Sequence, residues 1–311
     1  VRRCIAARDW MCLRLRLLFL LRKIFGTGAL KPAASILLGK HYYDCVIAFR
    51  PGICSNLAAY SVKARRKITW WHHGEFYVDR VAYGAMCSRM DAVAVVSRAC
   101  REMLQDHLPE LADKLICVPN MLDTSAILQK VEHTPYAKSD LCIVSVGRFA
   151  PEKHFENIVP AAKALQAMNL AFMWHIVGDG SERARVEMLI TENALKDYVI
   201  LEGSKTNPYP YMKYADLFVH PSYIESQGLT VLEAMTLGVP CVVTKSRGPC
   251  EFIKDGVNGL LTEQSPESLT EKVLSILTDK TLYQSIKENT VCPEQFGPDR
   301  VMKQIEELID G

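Results

Sequence analysis

Short apolar runs rich in Val, Ile and Cys alternate with longer stretches in which apolar residues recur at helical spacing, from Cys45 to the end of the chain. Such alternation predicts an α/β protein with parallel sheets covered by helices, and argues against a barrel or a sandwich. In the first half the pattern places strands at 45–49, 68–71, 92–96 and 115–118, with Ser97 as N-cap of a helix from Arg98 to about His107. A polar stretch, Glu132 to Asp140 with Pro135, reads as a linker. A second series follows: strand 141–146, helix 155–168, strand 172–177, helix 182–193, and strands at 199–201 and 217–219. A helix from Leu229 to Leu237, strands at 241–244 and 259–261, and two or three closing helices complete it. This second series forms a complete doubly wound domain, whose ligands bind beyond the carboxyl ends of the strands, where Gly147, Gly178, His220 and Thr244 fall. The first half opens on a basic helix without an initial strand and glycine-rich turn; Gly26 and Gly28 make only a GxG fragment. The expected organisation is an incomplete Rossmann-like domain over 1–136, a complete one over 137–290, and a terminal helix over 291–311.

Candidate chemistry concentrates in Pro221 to Pro240, PSYIESQGLTVLEAMTLGVP. Ser226 and Gly228 favour a turn, and Leu229 to Leu237 favours a helix stopped by Gly238 and Pro240. Backbone N–H groups near Gly228, Leu229 and Thr230 should therefore point outward unpaired, a setting that attracts phosphate. Glu225 stays in the loop and Glu233 lies one turn inside the helix, which suits gripping sugar hydroxyls on either side of a bound diphosphate. A capping carboxylate on a surface loop is the plainer alternative. Gly147-Arg148-Phe149-Ala150-Pro151-Glu152-Lys153 adds two cations just after a strand end, a fork and a point charge for phosphate oxygens. Their alternative is a solvated surface pair. His72 and His73 close the run Trp70-Trp71-His72-His73; adjacent residues on a strand point in opposite directions, which disfavours joint metal binding. His175, inside an apolar strand, reads as a hydrogen-bonded core residue.

Composition narrows the class. With 49% hydrophobic and 23% charged residues the chain has the balance of an ordinary globular protein and is not disordered. The net charge of +2 conceals an asymmetry: residues 1–136 carry 20 Lys and Arg against 11 Asp and Glu, and the remainder carries 17 against 24. Within the first 67 residues the ratio is 14 to 2. Leu13, Leu17, Leu20, Leu21 and Ile24 share a helical face interleaved with arginines, so the expected partner of this region is an anionic membrane surface rather than nucleic acid. The alternative is a helix packed on its own domain. The run from Met11 to Phe25 is too short and too charged to span a bilayer. Eleven cysteines without a CxxC pair fit neither a disulfide framework nor a zinc site and point to the cytoplasm.

Four blocks in order, VGRFAPEK, VGDGSER, HPSYIESQGLTVLEAMTLGVPCVV and GPCEFIKDGVNGLL, resemble the GT-B retaining glycosyltransferases of family four, also called glycosyltransferase group one. The resemblance covers roughly residues 90–311. It implies two Rossmann-like domains facing a cleft, the N-terminal one apparently truncated. Arg148 and Lys153, with Gly147, match the part that binds the donor diphosphate; Glu233 matches the glutamate that holds the ribose, and Glu225 the one that meets the donor sugar. Ser226, Gly228, Leu229 and Thr230 match the loop and helix start that contact sugar and phosphate. Gly203, Asn207, Pro208 and Tyr211 resemble the segment beside the base, and Gly178 and Gly180 a structural turn. His73 resembles the interdomain histidine near the transferred sugar. The implied activity is sugar transfer from a UDP- or GDP-linked donor to a hydroxyl of a glycan or lipid-linked acceptor, with no metal or other cofactor, at the cytoplasmic face of a membrane. A non-catalytic glycosyltransferase-like subunit and a nucleotide-sugar epimerase are the alternatives.

Overall fold

The computed structural model describes residues 41–131 and 141–311. The amphipathic segment of residues 11–25, the GxG fragment and the polar linker all lie outside the described residues, as does the expected domain boundary at 136/137. Packing divides the chain into two compact units, one reaching to Val118 and including Lys303–Gly311, the other comprising Pro119–Met302. Residues just after Val118 belong to the second unit because Leu122 and Ile127 are buried in its core.

In the first unit, β1 (Tyr42–Ala48), β2 (Lys63–Trp71), β3 (Ala92–Val95) and β4 (Leu115–Cys117) form a parallel sheet in sequence order, so this sheet shows no strand-order reversal among the described residues. β2 runs five residues earlier than its apolar stretch suggests. Its basic half, Lys63–Lys67, is exposed or half-buried and pairs with the start of β1, whereas Ile68–Trp71 lies buried between β1 and β3. Ser97 caps the helix Arg98–His107, accepting from the Cys100 amide at 3.1 Å. Asp79 caps a further helix, Arg80–Cys87, through the Ala82 amide at 2.7 Å.

The second unit carries β5 (Leu141–Val146), β6 (Phe172–Val177), β7 (Val199–Gly203), β8 (Leu217–His220), β9 (Cys241–Thr244) and β10 (Leu260–Thr262) in one parallel sheet of order β10-β9-β8-β5-β6-β7. The order reverses between β5 and β8, which creates a crevice at their carboxyl ends. Alternate residues of one strand serve opposite faces: Ile143 joins a core with Trp174, Val186 and Val273, while Cys142 and Val144 join another with Val231, Leu232 and Met235. Both faces are covered, which is why the strands read as unbroken apolar runs.

Close approach at the strand ends demands glycine. The Gly147 amide donates to the Val177 carbonyl at 3.0 Å, and a Cβ on Gly178 would lie 1.8 Å from the Gly147 carbonyl oxygen. Two backbones cannot separate without breaking the β5–β6 ladder, so Gly178→Ala is expected to cost about 3 kcal/mol or more. Gly256→Ala, where a methyl meets open space and only the left-handed backbone (φ +74°) is strained, should cost about 1 kcal/mol. Urea denaturation of the two variants checks the contrast.

Candidate functional site

Beyond β5, residues Pro151–Lys153 make a single 3₁₀ turn that ends on His154, whose backbone is left-handed (φ 47°). The turn is fastened to the segment after β8. The His154 ring stacks on Tyr223 with centroids 3.8 Å apart, Asn157 Nδ2 donates to the Tyr223 hydroxyl at 2.9 Å, and both the Tyr223 amide and Ser222 Oγ donate to the Glu152 carbonyl at 3.1 Å. These ties cross the switch point and bring Lys153 onto Glu225.

Glu225 is the hub. Its Oε1 accepts from Lys153 Nζ and from His220 Nε2, the latter at 2.7 Å. The side chains of Glu225 and His220 are only 13% and 4% exposed. Burial by itself pushes the Glu225 carboxyl up; the hydrogen bonds and charges of His220 and Lys153 outweigh it and bring the pKa down to about 2. Glu225 is thus an ionised acceptor at neutral pH, with Lys153 and His220 on one oxygen and, among the described residues, no hydrogen-bond donor on Oε2. His220 ends β8 and was legible only as a residue after a strand; its partnership with Glu225, five residues on, depends on the intervening loop folding back.

Two glycines shape that loop. The Gly248 amide donates to the Glu225 carbonyl at 3.1 Å, and a Cβ on Gly248 would stand 2.5 Å from the Gln227 backbone. Gln227, itself buried, accepts from the Asn120 amide at 2.7 Å and donates to the Asn120 carbonyl at 3.1 Å. Gly228 then opens the helix Leu229–Thr236 with φ +81°, pressed against Pro249. Its carbonyl takes the Val231 and Leu232 amides at 3.0 and 3.2 Å. Among the described residues the N–H groups of Gly228, Leu229 and Thr230 have no acceptor, as the first turn of a helix leaves them.

These groups line a cavity of about 280 Å³ bounded by Asn120, Val146, Gly147, Arg148, Lys153 and Glu225 to Thr230. Eight residues singled out in the sequence meet there: Gly147, Arg148, Lys153, Glu225, Ser226, Gly228, Leu229 and Thr230. Arg148 is 72% exposed and paired with Glu152 at 3.0 Å, so both cations have carboxylate partners that the sequence did not disclose.

Other singled-out residues lie off this cavity's lining. Glu233 accepts from the Tyr209 hydroxyl at 3.3 Å, and burial pushes its carboxyl up to about 7 against that hydrogen bond. Gly203 ends β7, its carbonyl taking the Gly178 amide at 3.0 Å. Asn207 donates to the Lys130 carbonyl at 2.8 Å, and the Tyr211 hydroxyl donates to Glu202 at 3.0 Å. Glu202 also lies 2.9 Å from His175 Nδ1, which makes His175 the hydrogen-bonded core residue expected.

His73 belongs to the first unit. β2 ends at Trp71, so both histidines follow the strand, yet their rings still part company: His72 stacks on Trp70 and His73 meets Trp71 and Tyr77 edge-on. Burial, followed for His73 by the Arg50 charge, pushes both rings below their ordinary pKa. Among the described residues no three His, Cys, Asp or Glu side chains converge as a metal site requires.

The family model described as glycosyl transferases group 1 matches residues 128–291, more than half of the chain. The chain belongs to the group 1 glycosyltransferases. It is 31% identical over 147 residues to the lipopolysaccharide core biosynthesis glycosyltransferase LpsE of Rhizobium meliloti, covering 47% of this chain and 42% of LpsE. It is 28% identical over 275 residues to N-acetyl-alpha-D-glucosaminyl L-malate synthase of Bacillus anthracis, covering 82% of this chain and 71% of that enzyme. Among solved structures, TarM matches with a TM-score of 0.76 at 21% identity, over 91% of this chain and 58% of TarM. HepE of Anabaena, solved in complex with UDP, matches with a TM-score of 0.74 at 19% identity, over 91% of this chain and 83% of HepE. The chain therefore spans less than half the length of LpsE and less than two thirds of TarM. The fold shared with these solved structures is the GT-B fold, α/β with two parallel sheets, as the sequence analysis expected.

Proposed function

We propose that this group 1 glycosyltransferase moves a hexosyl or N-acetylhexosaminyl group from a nucleoside-diphosphate sugar to a hydroxyl of a glycan or lipid-linked acceptor, with retention and without a metal. The observation that carries the reading is the cavity at the β5/β8 reversal, where three unpaired amides, Lys153 and Arg148 surround the space in front of the buried Glu225 carboxylate. Amides and cations suit a diphosphate, whose charge grows as the sugar departs. Lys153 spends one donor on Glu225 and keeps two for phosphate oxygens. Arg148, mostly exposed, can turn from Glu152 onto the same group.

Glu225 Oε2 would take a hydroxyl of the donor sugar and favour positive charge developing on its ring; it is an orienting and electrostatic group, not a covalent nucleophile. Glu233 would hold the ribose, with Gly203, Asn207, Pro208 and Tyr211 beside the base, and His73 would attend the acceptor side. The bound UDP of HepE favours uridine over guanosine. No helix among the described residues is long and apolar enough to cross a membrane, and attachment to a cytoplasmic membrane face would rest on the basic first 40 residues.

Thermal-shift titration of UDP, GDP and their sugars tests the reading. One nucleotide family should raise the melting temperature, as about 2.7 kcal/mol of stabilisation is gained at a hundredfold excess over Kd. Lys153→Ala should remove most of that gain. Equal shifts in wild type and Lys153→Ala would place the diphosphate elsewhere.

A further inference from the structure

One wall of the candidate cavity is left unused by the diphosphate chemistry. Asn120, three residues beyond β4, lines it together with Gln227, and three hydrogen bonds clasp the two residues. Gln227 Oε1 accepts from the Asn120 amide at 2.7 Å and from Asn120 Nδ2 at 3.0 Å, while Gln227 Nε2 donates to the Asn120 carbonyl at 3.1 Å. A backbone N–H only donates and a backbone carbonyl only accepts, so the main chain of Asn120 fixes which end of the Gln227 amide is oxygen. Gln227 fixes the Asn120 side chain in turn. With Nδ2 turned onto Gln227, Asn120 Oδ1 faces away from it, and among the described residues that oxygen receives no hydrogen bond. The clasp has little room to shift, because Gln227 is buried and its backbone lies against Gly248.

The lining therefore divides by hydrogen-bonding character. Lys153, Arg148 and the amides of Gly228, Leu229 and Thr230 are donors, whereas Glu225 Oε2 and Asn120 Oδ1 are acceptors with no donor among the described residues. A diphosphate offers only acceptors, which suits the first set and sets oxygen against oxygen at the second. The second set calls for a group that carries O–H donors and is joined to the anion. A sugar on the diphosphate is such a group, and two acceptors on separate segments call for two hydroxyls.

We propose that Asn120 is a donor-sugar residue, its Oδ1 accepting a hydroxyl distinct from the one held by Glu225, and that Gln227 is the positioning residue that keeps this oxygen turned to the cavity. This rests on the proposed function and narrows it: the transferred sugar presents two separate hydroxyls to the second unit.

Calorimetric titration of the full chain with UDP, GDP, UDP-glucose, UDP-galactose, UDP-N-acetylglucosamine and GDP-mannose tests the assignment in wild type, Asn120→Ala and Gln227→Leu. Asn120→Ala keeps both backbone bonds to Gln227; should it fail to fold, as thermal melting shows, Asn120→Ser takes its place. For the sugar nucleotides that wild type binds, Asn120→Ala should raise Kd about tenfold more than it raises the Kd of the bare nucleotide. Gln227→Leu unfastens the loop and should weaken the bare nucleotide as well. Combined with Glu225→Gln, Asn120→Ala should multiply the loss of sugar affinity, as contacts with two different hydroxyls do. The idea fails if Asn120→Ala weakens nucleotide and sugar nucleotide by one factor, the pattern of a residue that only fastens the loop. It fails also if the double variant binds the sugar nucleotide no more weakly than Glu225→Gln, or if no sugar nucleotide of the panel binds. Bare UDP or GDP binding that is indifferent to Lys153→Ala would instead sink the diphosphate reading, and a sugar-selective loss in Asn120→Ala would still stand.

Discussion

Glu225→Ala should abolish sugar transfer and weaken the second unit at the same time. Removing an electrostatic contact made in the transition state costs about 3 kcal/mol, or roughly a hundredfold in rate. Removing Glu225 also strands Lys153 and His220, the first a mostly buried ammonium, without their shared acceptor. Breaking one side of a buried ion pair costs about 3 kcal/mol or more, so alanine alone confounds chemistry with folding. Glu225→Gln separates them: its amide oxygen can still accept from both partners, while its amide nitrogen replaces the acceptor at Oε2. Transfer should fall about as far as in the alanine variant, and stability should fall less. The pH dependence has a definite sign. Glu225 titrates near 2 in the folded chain against an ordinary 4.5, so its stabilisation is complete above 4.5 and fades as pH drops toward 2. Urea denaturation of wild type and Glu225→Gln should differ by a constant amount from pH 6 to 8 and converge below pH 4.5. Full transfer activity in Glu225→Gln would remove the carboxylate from the mechanism.

Eight of the residues lining the candidate cavity were legible because their signals are local. Gly228 before a helix-forming run marks an open helix start, and Arg148 and Lys153 follow an apolar strand at a sheet edge whose use is general. What the sequence left out is tertiary. Nothing in HPSYIESQG announces that Tyr223 folds over His154, that Gly248 lies flat on Gln227, or that His220 and Lys153 meet on one oxygen of Glu225. Those contacts join residues up to 72 positions apart, and apolar periodicity carries no information on them. The basic half of β2 was missed for a simpler reason: Lys63–Lys67 extends the sheet into solvent, where strand pairing needs no apolar residue. The helices Ile53–Tyr60 and Arg80–Cys87 are two turns long, too short to set their period apart from the neighbouring strands.

Nucleotide affinity should rise between pH 6 and 8, with Glu233 as the group responsible. Burial lifts its carboxyl to about 7 from an ordinary 4.5, and the Tyr209 hydrogen bond pulls only weakly the other way. A ribose diol donates two hydroxyls, which an ionised carboxylate accepts and a protonated acid does not, so binding must expel the proton. Below pH 7 the dissociation constant should fall about tenfold per pH unit, then level off. The terminal phosphate of the nucleotide titrates near pH 6 in its own right, so wild type must be compared with Glu233→Gln, in which only the phosphate contribution remains. Stability moves in the opposite sense. A carboxyl raised on folding favours the folded chain less as pH climbs from 4.5 through 7, so Glu233→Gln should match wild type in acid and exceed it in melting temperature at pH 8. Tyr209→Phe deletes the hydrogen bond that favours ionisation and should push the midpoint of the affinity curve to higher pH. Calorimetric titration of UDP at pH 6.5 in buffers of different ionisation enthalpy measures the released proton directly. Proton release of the same size in Glu233→Gln would assign the pH dependence to the nucleotide alone and take Glu233 out of ribose binding.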